Sequence, residues 1–139
     1  MIPTIISQLL TSGNVKLGSC TPTRDFTYVT DTVQGFIKAA EGPKSTEGFV
    51  YNIGMNTEIS IGDLVEKIQK ITGIRGKVTY ETERVRPDKS EVNRLWCDNN
   101  RAMKELKWKP EETLDSGLAQ TVTWITSNID KYKPEIYNI

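Results

Sequence analysis

The sequence predicts an α/β fold of the small α+β kind, in which short strands alternate with helices. Four stretches repeat apolar residues at helical spacing, and short runs rich in β-branched and aromatic residues lie between them. Three or four strands of this length cannot easily close a doubly wound sheet by themselves. A complete doubly wound sheet is therefore not expected from this chain.

The first predicted helix covers residues 1–11 and is followed by a short strand. Its apolar residues recur at helical spacing, and Pro3 is compatible with a first helical turn. Gly13 and its polar neighbours end the helix, and residues 14–18 predict a strand. A helix that starts at the first residue favours a chain cut from something longer.

Two further strands flank the second predicted helix. Residues 24–29 are aromatic and β-branched, which predicts a strand or an extended entry to a helix. Thr30 or Asp31 is the predicted N-cap of that helix, which ends near Glu41. The run Phe49–Gly54 is largely apolar and bounded by glycines, and this pattern predicts a strand buried on both faces.

The third predicted helix has clear signals at both of its ends. Ser60 and Asp63 resemble a capping box, with Asp in place of the usual Glu. An apolar stripe at helical spacing follows, and Gly73 ends the helix. Residues 77–82 then predict another strand. This is the most strongly patterned helix of the chain.

The C-terminal part contains a strand and two helices. Residues 94–98 predict a short strand and residues 100–106 a small helix, and Thr113 is the predicted cap of the last helix. Trp96 and Trp108 are predicted to belong to the core rather than to act as ligand platforms.

The composition excludes several classes of site. Lys plus Arg equals Asp plus Glu at 18 each, so no global field attracts nucleic acid or an acidic membrane surface. With no histidine and only two cysteines, neither a metal site nor a histidine-based triad is expected. No apolar stretch reaches the roughly 20 residues that span a bilayer, and a cytoplasmic protein with reduced thiols is predicted. Glycine-rich dinucleotide and phosphate loops are absent, so no catalytic or cofactor-binding residues are predicted.

Arginines near predicted strand ends form the main candidate site. A guanidinium matches phosphate oxygens in pairs, so two or three converging arginines could clamp a diphosphate. Neighbouring carboxylates allow the alternative, in which each arginine takes part in an ordinary salt bridge. Asn52 lies inside a predicted buried strand, and is either a hydrogen-bonded structural amide or a ligand contact. The candidate arginines are Arg24, Arg84, Arg86 and Arg94.

Five blocks carry a resemblance to a known family. They are "TRDFTYVTDTVQGFIKAAE", "VYNIG", "ISIGDLVEKI", "RPDKSEV" and "ELKWKPEETLDSGLAQTVTWI". In this order, the blocks resemble the C-terminal portion of the Rossmann-type extended short-chain dehydrogenase/reductases that act on nucleotide sugars. Within that family the chain is most similar to the legionaminic-acid-type 4,6-dehydratases of N-acetylglucosamine nucleotides, and then to the GDP-mannose 4,6-dehydratases.

The resemblance implies an NAD-dependent 4,6-dehydratase of bacterial or archaeal surface-sugar biosynthesis. In such an enzyme the sugar is transiently oxidised at C4 and water is eliminated across C5–C6. NAD would bind an N-terminal Rossmann domain that this sequence lacks, so the chain alone is expected to hold no cofactor and to be inactive. The alternatives are a portion of a UDP-sugar 4-epimerase and, from another class, a non-catalytic nucleotide-binding or assembly module.

The resemblance also implies roles for individual residues. Arg86, in the "RP" block, and Arg24, in the "RDF" block, would contact the diphosphate of a nucleotide sugar. Glu91 would lie near the ribose hydroxyls and Leu17 near the base. Arg84 has no clear family counterpart and is expected to be a loop charge.

The family resemblance also predicts the organisation and partners of the chain. Residues 1–130 are expected to form the nucleotide-sugar-binding portion, and residues 131–139 a loosely ordered tail. The expected ligand is a nucleotide-diphosphate sugar, and neither nucleic acid nor a membrane is expected to bind. Apolar helix faces that would meet the Rossmann domain should be bare here, which favours a homo-oligomer.

Overall fold

The computed structural model describes residues 1–84 and 92–134, in which short strands alternate with helices as predicted. The chain divides into two compact units. Within the described residues, the first unit draws on Met1–Pro22, Ser60–Asn93 and Leu118–Ile139, and the second on Thr23–Ile59 and Arg94–Gly117. No helix in the described ranges has both the length and the apolar character needed to cross a membrane.

The first unit contains a two-stranded parallel sheet and the helices packed around it. Helix α1 (Ile2–Ser12) ends at Gly13, whose left-handed φ of 67° turns the chain into strand β1 (Asn14–Leu17). β1 pairs in parallel with β4 (Lys77–Tyr80), and α1 packs against β1 and against α3 (Ile61–Thr72). The buried apolar residues of the first unit include Ile5, Ile6, Leu9, Val15, Leu17, Ile61, Leu64, Val65 and Ile68.

The ends of α3 confirm the predicted capping signals. The Ser60 hydroxyl oxygen accepts a hydrogen bond from the backbone N–H of Asp63 at 3.0 Å. The same hydroxyl donates to the Asp63 carboxylate at 2.6 Å. At the other end, Gly73 has a left-handed φ of 70°, a conformation that costs glycine little. The local sequence therefore fixes both ends of this helix.

The last helix, α4 (Leu114–Ser127), begins in the second unit and continues in the first. Thr113 caps it as predicted, because Thr113 Oγ1 accepts from the Ser116 N–H at 3.1 Å while Ser116 Oγ accepts from the Thr113 N–H at 3.0 Å. A 3₁₀ turn at Ile129–Lys131 follows. The predicted tail is described only as far as residue 134, and its boundary after residue 130 stays a prediction.

The second unit contains a sheet made of very short strands. β2 (Thr23–Arg24) pairs in parallel with β5 (Arg94–Leu95) and lies between β5 and β3 (Ile59–Ser60). The predicted strand at 94–98 is correct in place but only two residues long. Of the run 24–29, which predicted a strand or an extended entry to a helix, only Arg24 lies in β2, and residues 25–28 lead into the next helix. A ladder of this length supplies few backbone hydrogen bonds, so side-chain contacts must hold these segments in place.

A buried carboxylate fixes the inner side of helix α2 (Val29–Ala40). Asp31 is almost completely buried, and its carboxylate oxygens accept hydrogen bonds from the N–H groups of Glu111 and Glu112 at 3.0 and 3.1 Å. Its backbone carbonyl accepts from Trp108 Nε1 at 3.0 Å. The predicted cap at Thr30 or Asp31 is wrong, because the helix begins before either residue and the Asp31 side chain bonds a distant segment.

Trp108 forms the core of the second unit, which confirms one of the two tryptophan predictions. It packs with the π-helical turn Ala102–Leu106, and Tyr51 and Ile53 cover this cluster. The indole N–H needs a hydrogen-bond partner when buried, and the Asp31 carbonyl supplies it. The small predicted helix at residues 100–106 is therefore present mainly as this π-helical turn.

The predicted buried strand at Phe49–Gly54 is wrong. These residues form no strand, and Val50 is 81% exposed. Side chains hold the segment instead: the Tyr51 hydroxyl donates to Glu105 at 2.6 Å, and Asn99 Nδ2 donates to the Gly54 carbonyl at 2.7 Å. A strand needs a neighbouring strand to pair with, and the described residues place none beside this run.

Helix α2 turns its apolar stripe away from its own unit. On its inner side a Cβ at Gly35 would lie 2.9 Å from the Ile53 side chain, so the close approach favours glycine. Helical periodicity places the apolar residues on the opposite side, where Phe36 is 75% exposed. The outward stripe consists of Val29, Val33, Phe36 and Ile37.

We expect Asp31→Ala to lower the free energy of unfolding by about 2–4 kcal/mol, because it leaves two backbone N–H groups without their acceptor. Urea denaturation monitored by circular dichroism would measure the change. Asp63→Ala is the matched control, since that carboxylate lies at an exposed helix start and should cost less than about 1 kcal/mol. Equal losses in the two variants would contradict the proposed importance of Asp31.

We expect the chain to self-associate through the outward stripe of α2, because exposed apolar patches of this kind favour contact between copies. Phe36→Glu should shift the protein toward monomer, whereas Gln34→Glu adds the same charge beside the stripe and should not. Sedimentation equilibrium over a range of protein concentrations would test both variants. A wild-type monomer at every concentration would contradict the expectation.

Candidate functional site

Arg24 is held at the end of a strand in the second unit. In β2 the residue pairs are Thr23 with Arg94 and Arg24 with Leu95. The Arg24 Nη1 donates a hydrogen bond to the carbonyl oxygen of Thr23 at 2.7 Å, which folds the guanidinium back along its own strand. The half-buried side chain thus has a defined position.

Arg94 is engaged by a carboxylate of the same unit. Glu58 accepts from Arg94 Nε at 2.9 Å, and Arg94 Nη2 lies 2.6 Å from the Glu58 carboxylate. Glu58 also accepts from the Thr23 hydroxyl at 2.6 Å. The hydrogen bond from Arg94 and then that from Thr23 lower the pKa of Glu58, and Glu58 in turn raises the pKa of Arg94. For Arg94 the salt-bridge alternative is confirmed.

A pocket of about 430 Å³ opens beside this sheet. Asn52 lines it and donates from Nδ2 to the Asp98 carbonyl at 3.3 Å, so the predicted candidate borders a cavity but does not lie in a strand. Trp96 also lines the pocket and is 49% exposed, so its prediction as a core residue is wrong. The Arg94 guanidinium lies 5.0 Å from the Trp96 ring centre, which holds the indole at the surface. The lining residues are Asp25, Tyr51, Asn52, Ile53, Leu95, Trp96 and Cys97.

Asp25 is a structural member of the pocket that sequence reasoning did not single out. Its Oδ1 accepts from the Met55 N–H at 2.9 Å and its Oδ2 from the Cys97 N–H at 3.3 Å. A Cβ at Gly54 would lie 2.4 Å from the Cys97 Cβ, so the two segments meet too closely for any side chain there. The sequence offered one signal for Asp25, its position directly after the candidate arginine.

Cys97 is partly buried in the pocket wall, and its environment disfavours the thiolate. Burial raises the pKa of the Cys97 thiol, and the negative charges of Asp25 and Asp98 raise it further. A thiol of this kind is a poor nucleophile at neutral pH, because the thiolate is the reactive form. The structure therefore describes Cys97 as a thiol of low reactivity.

Leu17 lies in the first unit, at the end of β1, and not in the unit that contains Arg24 and Asn52. Its side chain is buried, and its carbonyl accepts from the Glu81 N–H at 2.8 Å. Glu81 binds Arg84 Nε at 2.6 Å and Lys16 Nζ at 2.9 Å, and these contacts lower the Glu81 pKa. Arg84 thus takes part in a local salt bridge.

Two of the five predicted site residues, Arg86 and Glu91, lie outside the described residues. The structure places the other three in two groups. Arg24 and Asn52 share the second unit, where β5 links them: Leu95 pairs with Arg24 and lines the pocket with Asn52. Leu17 belongs to the first unit. The roles of all five residues stay predictions.

A family model described as GDP-mannose 4,6 dehydratase matches residues 1–121 of the chain. The chain belongs to this family of nucleotide-sugar dehydratases and epimerases. It is 33% identical over 117 residues to UDP-glucuronate 4-epimerase of Thermodesulfobacterium geofontis, and 31% identical over 137 residues to dTDP-glucose 4,6-dehydratase of Shigella flexneri. These alignments cover 84% and 92% of this chain but only 34% and 36% of the relatives, so the chain spans about a third of their length.

A solved structure of the family has the same fold. UDP-glucuronic acid 4-epimerase from Bacillus cereus, in complex with UDP-glucuronic acid and NAD, aligns with a TM-score of 0.81 at 30% identity. The alignment covers 92% of this chain and 40% of the Bacillus chain. The predicted fold class is confirmed, because the chain matches the C-terminal part of Rossmann-type members of this family.

The residues of this family member do not fit NAD. The sequence lacks the glycine-rich loop that dinucleotide sites require. At the N-terminus of α3, the N–H groups of Ile61 and Gly62 already donate to the carbonyls of Pro22 and Cys20, so they are not available to a pyrophosphate. Among residues 1–84 and 92–134, no group of three or more acidic or cysteine side chains is placed to hold a metal ion. No reaction step through NAD is assigned to this chain.

We expect the alkylation of Cys97 by iodoacetamide to have a pH midpoint above that of an ordinary thiol, measured in a Cys20→Ser background. Asp25→Asn should lower the midpoint, because it removes one of the negative charges that oppose the thiolate. Asp63→Asn is the control, since it removes a carboxylate from the other unit. An unchanged midpoint in Asp25→Asn would exclude the electrostatic part of this explanation.

Proposed function

We propose that this chain is the substrate-binding portion of an NAD-dependent nucleotide-sugar 4,6-dehydratase. The family match over residues 1–121 supports a nucleotide-sugar ligand. The observation that carries the proposal is the placement of Arg24, whose planar guanidinium suits a diphosphate, on a strand braced from both sides. The Bacillus relative is described as bound to UDP-glucuronic acid and NAD, which agrees with this class of ligand.

The proposed contacts follow the sequence predictions. Arg24 and Arg86 would clamp the diphosphate, and Glu91 would accept hydrogen bonds from the ribose hydroxyls. Leu17 would lie against the base, and Asn52 would offer its amide at the pocket beside β5. Binding energy from these remote groups can orient the sugar at the reacting centre, which is how non-reacting parts of a substrate contribute to rate.

In this proposal NAD serves the complete enzyme and binds residues other than those of this chain. The NAD of the Bacillus relative supports the cofactor for the whole protein. The chain by itself would bind the nucleotide and would be inactive.

A UDP-sugar 4-epimerase is the second candidate function. The 33% identity to a UDP-glucuronate 4-epimerase supports the epimerase function as strongly as the 31% identity to a dTDP-glucose 4,6-dehydratase supports the dehydratase function. Mass spectrometry of nucleotide sugars incubated with extracts that contain the complete enzyme would separate the two reactions. Loss of one water from the sugar supports the dehydratase, whereas an unchanged mass with a new sugar isomer supports the epimerase.

We expect Arg24→Ala and Arg86→Ala each to weaken binding of UDP or GDP, measured by isothermal titration calorimetry at fixed salt. Removal of one arm of a charge-assisted clamp should cost on the order of 2–3 kcal/mol, or roughly 30- to 150-fold in affinity. Arg86→Lys should recover only part of the loss, because an ammonium lacks the planar fork of a guanidinium. Arg84→Ala is the matched control, since that guanidinium binds Glu81.

The same titrations define the outcomes that contradict the proposal. If Arg84→Ala weakens binding while Arg86→Ala does not, the diphosphate contact is assigned to the wrong arginine. If neither Arg24→Ala nor Arg86→Ala changes the affinity, the "RP" block is structural and the proposed diphosphate clamp fails. NAD in place of UDP should give no micromolar binding, and tight NAD binding would contradict the proposed absence of a cofactor site.

A further inference from the structure

An unbroken chain of contacts connects Arg24 to the pocket beside β5. Arg24 donates to the Thr23 carbonyl, and the Thr23 hydroxyl donates to Glu58 at 2.6 Å. Glu58 binds the Arg94 guanidinium, which lies over the ring of Trp96 in the pocket wall. All five residues belong to the second unit. These contacts connect the candidate ligand-binding arginine to the pocket wall through Thr23 and the Glu58 carboxylate.

Glu58 occupies a special position in this chain because it spans two paired strands. Thr23 and Arg94 are register partners in β2 and β5, and the Glu58 carboxylate binds the side chains of both. With strands of two residues, the backbone ladder alone constrains the position of Arg24 weakly. The Glu58 carboxylate accepts three further hydrogen bonds from the side chains of Thr23 and Arg94, and these also hold the two strands together.

We propose that Glu58 is a positioning residue for Arg24, acting through Thr23 to hold the guanidinium where it can meet a diphosphate. The inference rests on the proposed function, in that Arg24 is the group whose position matters. Thr23 is the link, because its carbonyl accepts from Arg24 while its hydroxyl donates to Glu58. When Thr23 shifts, the carbonyl that accepts from the Arg24 guanidinium shifts with it.

The alternative is that Glu58 and Arg94 form an ordinary surface ion pair. Such pairs contribute little to stability, and their loss does not change a binding site elsewhere. The contact with Thr23 separates the two explanations, because a simple ion pair does not require it. Thr23→Val removes the hydroxyl at nearly constant shape and leaves the Glu58–Arg94 pair intact, whereas Thr23→Ser keeps the hydroxyl.

The first test measures UDP affinity by isothermal titration calorimetry. Thr23→Val and Glu58→Gln should each weaken binding about 3- to 10-fold, the effect expected for loss of one orienting hydrogen bond. Thr23→Ser should bind as wild type does. Glu81→Gln is the matched control, because Glu81 also binds an arginine and has a lowered pKa but lies in the other unit. The Arg24→Ala, Glu58→Gln double variant should be no weaker than Arg24→Ala alone.

Each result decides between the inference and the function on which it rests. If Arg24→Ala leaves UDP affinity unchanged, the proposed diphosphate contact fails. If Arg24→Ala weakens binding while Thr23→Val and Glu58→Gln do not, the function stands and the positioning role is overturned. Additive losses in the double variant also overturn it, because they show that Glu58 acts independently of Arg24.

A second test needs no ligand. The Arg24 Nε–Hε resonance, followed by NMR from about pH 6 to pH 3, should move as Glu58 takes up its proton. The midpoint of this shift should lie below about pH 4, the usual value for a carboxyl group, because the Glu58 pKa is lowered. Asp25, the carboxylate next to Arg24, is the same in all variants, so the informative quantity is the part of the shift lost in both Glu58→Gln and Thr23→Val. An unchanged titration in these two variants overturns the inference.

Discussion

The contact on which the second unit depends most is the one between Asp31 and the backbone of Glu111 and Glu112. A buried carboxylate is costly unless hydrogen bonds compensate for its lost hydration, and here two backbone N–H groups do so. Together with the Trp108 indole on the Asp31 carbonyl, they attach α2 to a segment 77 to 81 residues away in sequence. The inner face of α2 is consequently polar and small, and its apolar residues are left on the outer face.

Two other carboxylates also link separate segments, at places where the strands are too short to hold the chain. Asp25 accepts from two backbone N–H groups on different segments, and Glu58 joins two paired strands through their side chains. Carboxylates can do this because each has two oxygens and several acceptor positions. In this unit they replace part of the hydrogen bonding that longer strands would supply. A site built on such contacts depends on single side chains more than a site on a long strand does.

Local signals predicted the helices and the two strands of the first unit well, but the strands of the second unit poorly. The ends of α3 follow from Ser60 and Gly73 because capping is decided within four residues of sequence. The run Phe49–Gly54 failed as a strand because its composition describes an apolar segment but not the neighbour that would pair with it. Trp96 failed for a related reason: the apolar run around it does not reveal that Arg94 holds its ring at the surface.

The arginines show why the candidate site could be predicted only in part. Carboxylates close in sequence suggested salt bridges for every member of the set, yet Asp25, next to Arg24, bonds the backbone of Met55 and Cys97. The partner of Arg94 is Glu58, 36 residues away, and sequence proximity gave no sign of it. The family resemblance predicts a role for Arg24 without this information, because a motif records a role and not a partner. The structure shows that the carboxylate next in sequence to Arg24 also accepts hydrogen bonds from two backbone N–H groups, one of them in the pocket wall at Cys97.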